Sequence, residues 1–301
     1  MSTLNIRLNY SKSISSFWIK SMTYFSMQSE EKFMNYFFPF IHRNNVSYKV
    51  YGISDVNENM KKENINIFIC VENCNYWKHY PHLNKFGDFG NKMVSIYIYN
   101  HFDKFIETSN YIVIPVIYLQ VDYFKKMYRT IQPKIYTPFV KKKFCLFVTR
   151  IDTAPSKNVL EQMRKIGECH HIKEVEFDIL RNKSCYHDTA LLNVFNQYKF
   201  VCCCENSIEN GYITEKIFNV FFARAIPIYY GPSDKSRYFN KHRFIEITNN
   251  LSDISVEKIR HLNENEAQYN AFLKMSIINK EFNDENYIKR SQNFIDKIRP
   301  K

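Results

Sequence analysis

Residues 202–216 read CCCENSIENGYITEK: three cysteines run into a carboxylate and an amide, and a Thr-Glu-Lys triplet follows. With its flanks, 199–231 predicts a strand, a loop, a helix and a second strand. KFVCCCE is the first strand, and NSIENGY is a loop in which Gly211 can take a positive φ. Thr214 is placed to cap the helix, Glu215 and Lys216 fill its first turn, and Ile217, Val220 and Phe221 share one face. AIPIYYG is the second strand. The loop joins a strand's carboxyl end to a helix's amino end, where backbone N–H groups and the dipole suit an anion. A cation at Lys216 opposes that dipole, and an anion between it and the helix end would resolve the conflict. Glu215 is placed to accept hydrogen bonds from sugar hydroxyls. An ordinary capped helix with a solvated Glu–Lys pair is the bland alternative that the same residues allow.

The elements that must position these groups are bounded by composition. A chain of 301 residues with 45% hydrophobic content has material for about two domains, each with its own core. The formal charge of +12 favours anionic partners. The longest basic run is Lys141-Lys142-Lys143, which argues against a nucleic-acid-binding tail. Eight cysteines include no Cys-x-x-Cys pair, so a zinc ribbon is not expected. Cys202, Cys203 and Cys204 alternate across a strand and cannot bridge one another. The first residues carry no apolar signal core, and no run of 18 apolar residues exists to span a membrane. The expectation is a reducing, cytoplasmic setting.

Strand patterns recur at 46–53 (VSYKVYGI), 64–73 (NINIFICVEN), 95–100 (SIYIYN), 110–119 (NYIVIPVIYL) and 141–151 (KKKFCLFVTRI). Pro115 puts the fourth at an edge or a bend. A helix is predicted over 156–167, ending at Gly167, and the tail from 253 reads as two or three helices. This alternation predicts two α/β units with largely parallel sheets, whose ligands bind at strand carboxyl ends.

ENSIENGYITEKIFNVFFARAIPIYYG resembles the donor-binding motif of the family 10 α1,3-fucosyltransferases. That motif runs Phe-Glu-Asn-Ser/Thr, a short loop, Tyr-Val/Ile-Thr-Glu-Lys, an apolar helix, and a strand with Pro that ends in Gly. The resemblance implies a GT-B-like α/β fold: two Rossmann-like domains facing a cleft, with C-terminal helices. The units expected are residues 1–135 on the acceptor side, 136–275 on the donor side, and a helix over 276–301 packing back on the body. It further implies transfer of L-fucose from GDP-β-L-fucose, with inversion, to an oligosaccharide or glycoconjugate acceptor. By position Glu215 binds the ribose, Lys216 faces the diphosphate, and Asn206 and Tyr212 line the donor pocket.

Single displacement needs a base near the acceptor hydroxyl and cations where leaving-group charge develops. NIFICVENC places Glu72 after an apolar strand and resembles the family segment that holds the proposed base, with Val71 in place of its Gly. Asp103 and Glu107 are the fallback carboxylates. FVTRIDTAPSKNVLEQM resembles the family's phosphate-binding stretch, in which the family Arg falls on Lys157, while Arg150-Ile151 replaces Ser-Asn. Arg150 then stands as a neighbouring source of guanidinium. No Asp-x-Asp triplet occurs, so protein cations are expected to serve without a metal or other cofactor. The alternatives are a transferase for another GDP-sugar, a binding module without catalysis, and, last, a nucleic-acid binder.

Overall fold

The computed structural model describes residues 32, 36–38, 48–52, 65–70, 95–99, 106–130, 136–148, 154–172, 189–283 and 286–298. The first sheet holds β1 (Tyr48–Gly52), β2 (Ile65–Cys70), β3 (Ser95–Tyr99), β4 (Ile106–Glu107) and β5 (Tyr111–Pro115). Its order is β1-β2-β3-β5-β4, and every pairing is parallel except β4 with β5. The apolar run YIVIP of β5 is buried at four of its five residues, as suits a central strand covered on both faces.

The strand expected over 110–119 is half strand and half helix. It ends at Pro115, and α1 (Val116–Met127) begins at the next residue. Proline cannot extend a ladder, and its φ of −60° leads into a helix. Residues 116–124 are all buried, so the helix is as apolar as a central strand, and composition cannot separate the two. Nor is Pro115 on an edge strand, because β5 is paired on both sides.

The second sheet is wholly parallel: β6 (Lys143–Phe147), β7 (Cys169–His171), β8 (Tyr198–Cys204), β9 (Ile226–Tyr230) and β10 (Ile245–Glu246). Around it lie α2 (Ala154–Arg164), α3 (Thr189–Asn196), α4 (Glu215–Phe222), the short α5 (Lys235–Tyr238), α6 (Asp253–Glu264) and α7 (Glu266–Lys274). α8 (Asn286–Ile298) closes the chain. The order β10-β9-β8-β6-β7 is the doubly wound 2-1-3-4-5 arrangement, with its topological switch between β6 and β8. Cys203 faces one core cluster, while Cys202 and Cys204 face the other, as strand alternation requires. Burial pushes the thiols of Cys202 and Cys203 up, so they behave as small apolar residues.

One core cluster runs through both sheets. Phe124 on α1 stacks against Phe218 and Phe222 of α4, with ring centroids 5.3 and 4.8 Å away. α8 returns to the first unit: the Tyr287 hydroxyl donates to Asp122 at 3.1 Å. Arg290 and Lys297 reach Glu107 at 3.4 and 2.9 Å. The hydrogen bond from Lys297, helped by Arg290, holds Glu107 below the usual carboxylate range. Glu107, one of the fallback carboxylates, is thus engaged by two cations of α8.

α4 ends in a Schellman motif. Ala225 N–H bonds the Val220 carbonyl at 3.2 Å, and Arg224 N–H bonds the Phe221 carbonyl at 3.1 Å. The position that favours glycine holds Arg224, at φ 55°. Arg224→Gly should therefore stabilise the protein by about 0.5–1 kcal/mol, the relief of left-handed strain less glycine's chain entropy. Calorimetric melting checks this, and a lowered Tm would contradict it.

Candidate functional site

The switch point brings two chain reversals together. After β6, Val148 donates to the Cys202 carbonyl at 3.0 Å, and the chain resumes in α2. Ser156, in the first turn of α2, lies 3.7 Å from the Cys204 sulfur at the end of β8. Lys157 is the next residue and is exposed. After β8 comes Glu205, and then the loop that leads to α4.

Glu205 organises this corner. Its side chain is fully buried and takes four hydrogen bonds. Oε1 accepts from the Thr214 amide and the Tyr229 hydroxyl, each at 2.9 Å. Oε2 accepts from the Thr214 hydroxyl at 2.6 Å and from Lys216 Nζ at 3.0 Å. A buried carboxylate requires this degree of satisfaction. Thr214 is therefore not the side-chain cap that its position promised: it sits at the N-cap with extended backbone, and its hydroxyl donates to a charge instead. The first-turn amides of α4 are left uncapped by it.

The two flanking glycines make the corner possible. Gly211 stands at φ 76°, and its N–H points at both oxygens of Asp234, 3.2 and 3.1 Å away. Asp234 also accepts from Tyr238 at 3.1 Å, so the loop is tied to α5. At Gly231 a Cβ would come within 2.4 Å of the Tyr229 ring. Only glycine lets that ring lie where its hydroxyl meets Glu205.

Lys216 is a quarter exposed and also reaches Thr214 Oγ1 at 3.1 Å. Burial alone would lower its pKa; the charges of Glu205 and Glu215 outweigh this and raise it. The anion that offsets this lysine is therefore the protein's own Glu205. An ammonium has three donors, and two are accounted for here.

Glu215 lies beside it, half-buried. Burial, with repulsion from Glu205, raises its pKa against the pull of Lys216. Its ionised form therefore costs stability. The cost is absent below the ordinary value of 4.5 and complete once pH passes the raised folded-state pKa. Glu215→Gln should raise Tm at pH 7 and make no difference at pH 4. Melting curves at the two pH values test the sign.

Glu215 and Lys216 stand in the first turn of α4 beside Glu205, and Lys157 follows Ser156, which lies 3.7 Å from the Cys204 sulfur at the end of β8. Asn206 is exposed next to Glu205, whereas Tyr212 is only 2% exposed and packs inward. Glu72, Asp103 and Arg150 lie outside the described residues. Glu205, Tyr229 and Asp234 were not expected. The only local signal was a carboxylate directly after seven strand residues. His170 pairs with Glu168 at 3.2 Å, and no cluster of three metal-ligating side chains occurs among the described residues.

The model of glycosyltransferase family 10 (fucosyltransferase), C-terminal part, matches residues 137–292. A fucosyltransferase-named protein of Acanthamoeba polyphaga mimivirus is 30% identical over 154 residues, 47% of this chain and 25% of the relative. An α-(1,3)-fucosyltransferase of Helicobacter pylori is 30% identical over 138 residues, 45% of this chain and 27% of the relative. A GDP-fucose protein O-fucosyltransferase of Gallus gallus is 27% identical over 113 residues, 37% of this chain and 24% of the relative. The matched regions thus span about a quarter of these relatives' lengths. In fold, the chain resembles a crystal structure of an α1,3-fucosyltransferase, with TM-score 0.55 and 19% identity over 88% of this chain and 85% of that one. The same fold is seen in a structure with GDP-fucose, at TM-score 0.53 and 16% identity over 81% of each chain. Two α/β units of the GT-B type, joined by the Glu205 corner's motif and a family match over more than half its length, mean that this chain belongs to glycosyltransferase family 10, the fucosyltransferases.

Proposed function

We propose that the protein transfers L-fucose from GDP-β-L-fucose to a glycan hydroxyl, α1,3-type, with inversion and without a metal ion. The observation that carries this reading is Lys216, held by Glu205 in the first turn of α4, at the switch point of the second sheet. Its remaining donor and the α4 amides form a place for diphosphate charge as the leaving group departs. Glu215, partly desolvated, is a strong acceptor for ribose hydroxyls. Lys157 adds positive charge from the start of α2, and Arg150, outside the described residues, is the other proposed cation. Glu72 is the proposed base; it follows the carboxyl end of β2 by two residues.

The named relatives support the donor more than the acceptor. The names share fucose transfer, but one relative is named for a 4-galactosyl-N-acetylglucosaminide as recipient and another for a protein. Protein glycosylation therefore belongs with oligosaccharides in any acceptor screen. Cys145, Cys169, Cys202, Cys203 and Cys204 carry no disulfide, and a reducing compartment such as the cytoplasm is the proposed setting. Among the described residues no helix is long and apolar enough to cross a membrane.

The test is an acceptor array with labelled GDP-fucose, run with and without chelator, beside melting curves with GDP, UDP and CMP. GDP should raise Tm most, fucose should reach an acceptor, and chelator should leave the rate unchanged. Equal shifts by all three nucleotides would count against the site. A second reading, a nucleotide-binding module without transfer, is favoured by the exposed Lys157 where the family holds Arg. Slow GDP-fucose hydrolysis that Glu72→Gln abolishes would exclude it. Offering GDP-mannose and GDP-glucose in the same assay separates another donor sugar.

A further inference from the structure

A cavity of about 320 Å³ opens at the other end of the second sheet. Its charged lining is Lys142, Arg224, Arg243 and Lys274, with the rings of Tyr136 and Tyr269 beside them. Lys142, Arg224 and Arg243 precede β6, β9 and β10, so they stand at the strands' amino ends. The Glu205 corner is at the carboxyl ends, about 23 Å away along the seven residues of β8. No carboxylate lines the cavity among the described residues.

Arg243 is 1% exposed. Its Nη2 donates to the Leu273 carbonyl at 3.3 Å, and its guanidinium lies 5.6 and 5.5 Å from the rings of Phe221 and Phe272. Its Nε and Nη1 are enclosed by protein, without a hydrogen-bond partner among the described residues, and the Tyr128 side chain, also in the cavity wall, interacts with the same guanidinium. Lys142 is tied down by the carbonyls of Asn196 and Tyr198. Burial, and then repulsion from Arg224, lowers its pKa to about 8. The walls are themselves fixed: the Asn196 side chain accepts from Thr137 N–H at 2.9 Å and donates to the Ala223 carbonyl at 2.8 Å.

We propose that this cavity is a second binding site for a small phosphorylated anion, held between Lys142, Arg224 and Arg243, with Tyr136 and Tyr269 against its remainder. Several converging cations and no acid ask for more than one negative charge, and a guanidinium fork matches phosphate oxygens. The volume is at the lower end of small-ligand pockets, which suits a phosphate ester or pyrophosphate group. The site does not depend on what the Glu205 corner binds.

The test uses the full chain, with inorganic phosphate and pyrophosphate as soluble probes. Phosphatidylcholine vesicles with and without phosphatidylinositol bisphosphate supply the same chemistry as a headgroup. Pyrophosphate should bind the wild type, and binding should persist in Lys216→Ala. It should weaken roughly tenfold in Arg224→Gly and in Lys142→Met, the loss of one charge-assisted contact. Arg224→Gly is expected to melt higher than the wild type, so unfolding cannot explain its loss. Vesicle binding that Arg224→Gly removes would support the site and make its ligand a lipid headgroup. Pyrophosphate binding lost in Lys216→Ala and intact in Arg224→Gly would overturn the proposal. Failure of both soluble probes and both vesicle types would do the same.

Discussion

Glu205→Ala should lower the free energy of unfolding by about 3 kcal/mol. This is the lower end of the range for breaking a buried charge pair, because Lys216 keeps a quarter of its exposure. The substitution leaves Lys216, the Thr214 amide and hydroxyl, and the Tyr229 hydroxyl to find other partners. Three of these groups are on the loop and first turn of α4, so the corner should loosen as a unit. Glu205→Gln should cost less. Its oxygen can still accept from the Thr214 amide and Tyr229, while its NH₂ faces the donors Lys216 and Thr214. Urea titrations check both, read as a shift in midpoint at constant slope. A loss below about 1 kcal/mol for the alanine variant would mean that Glu205 is not the anchor described.

The second large effect is on transfer. Lys216→Met should reduce kcat/KM for GDP-fucose about 10²- to 10³-fold, as removal of one donor to a developing charge does elsewhere. If Lys216 acts on the departing diphosphate, kcat falls along with kcat/KM; if it only holds the ground state, KM alone rises. Lys157→Ala should be milder, because an exposed cation is screened by water. The Lys216 variant also leaves Glu205 without its cation, so assays belong well below its own Tm. Wild-type kcat/KM in Lys216→Met would remove the site from the mechanism.

The two results separate holding from acting. Glu205 is too enclosed to touch a ligand and works through Lys216 and Thr214. Lys216 is exposed enough to touch one. Glu215 adds a contrast in sign, since its glutamine variant should be more stable and bind donor less tightly. A residue whose native form costs stability at neutral pH is what a binding site, more than a structural corner, would keep.

Local pattern alone determined a good part of this protein. The apolar runs at 65–70, 143–147, 198–204 and 226–230 read as strands and are parallel strands, and the helix after Thr214 followed from its i, i+3, i+4 face. The Thr-Glu-Lys triplet after a strand and a glycine loop marked the corner in the sequence. Pattern failed where two folds of the chain look alike to it. The apolar stretch after Pro115 is a buried helix, with Phe124 packed on α4 and Asp122 bonded to Tyr287 of α8, partners that no spacing reveals. It failed again at Lys216, whose partner is 11 residues away, and at Tyr229, which reaches Glu205 across 24. Those pairings, like the convergence of Lys142, Arg224 and Arg243 at the strands' amino ends, exist only once parallel strands stack their ends in register. Side-chain type sets which charges are available, and the packing of β8, β9 and α4 decides which of them meet out of water.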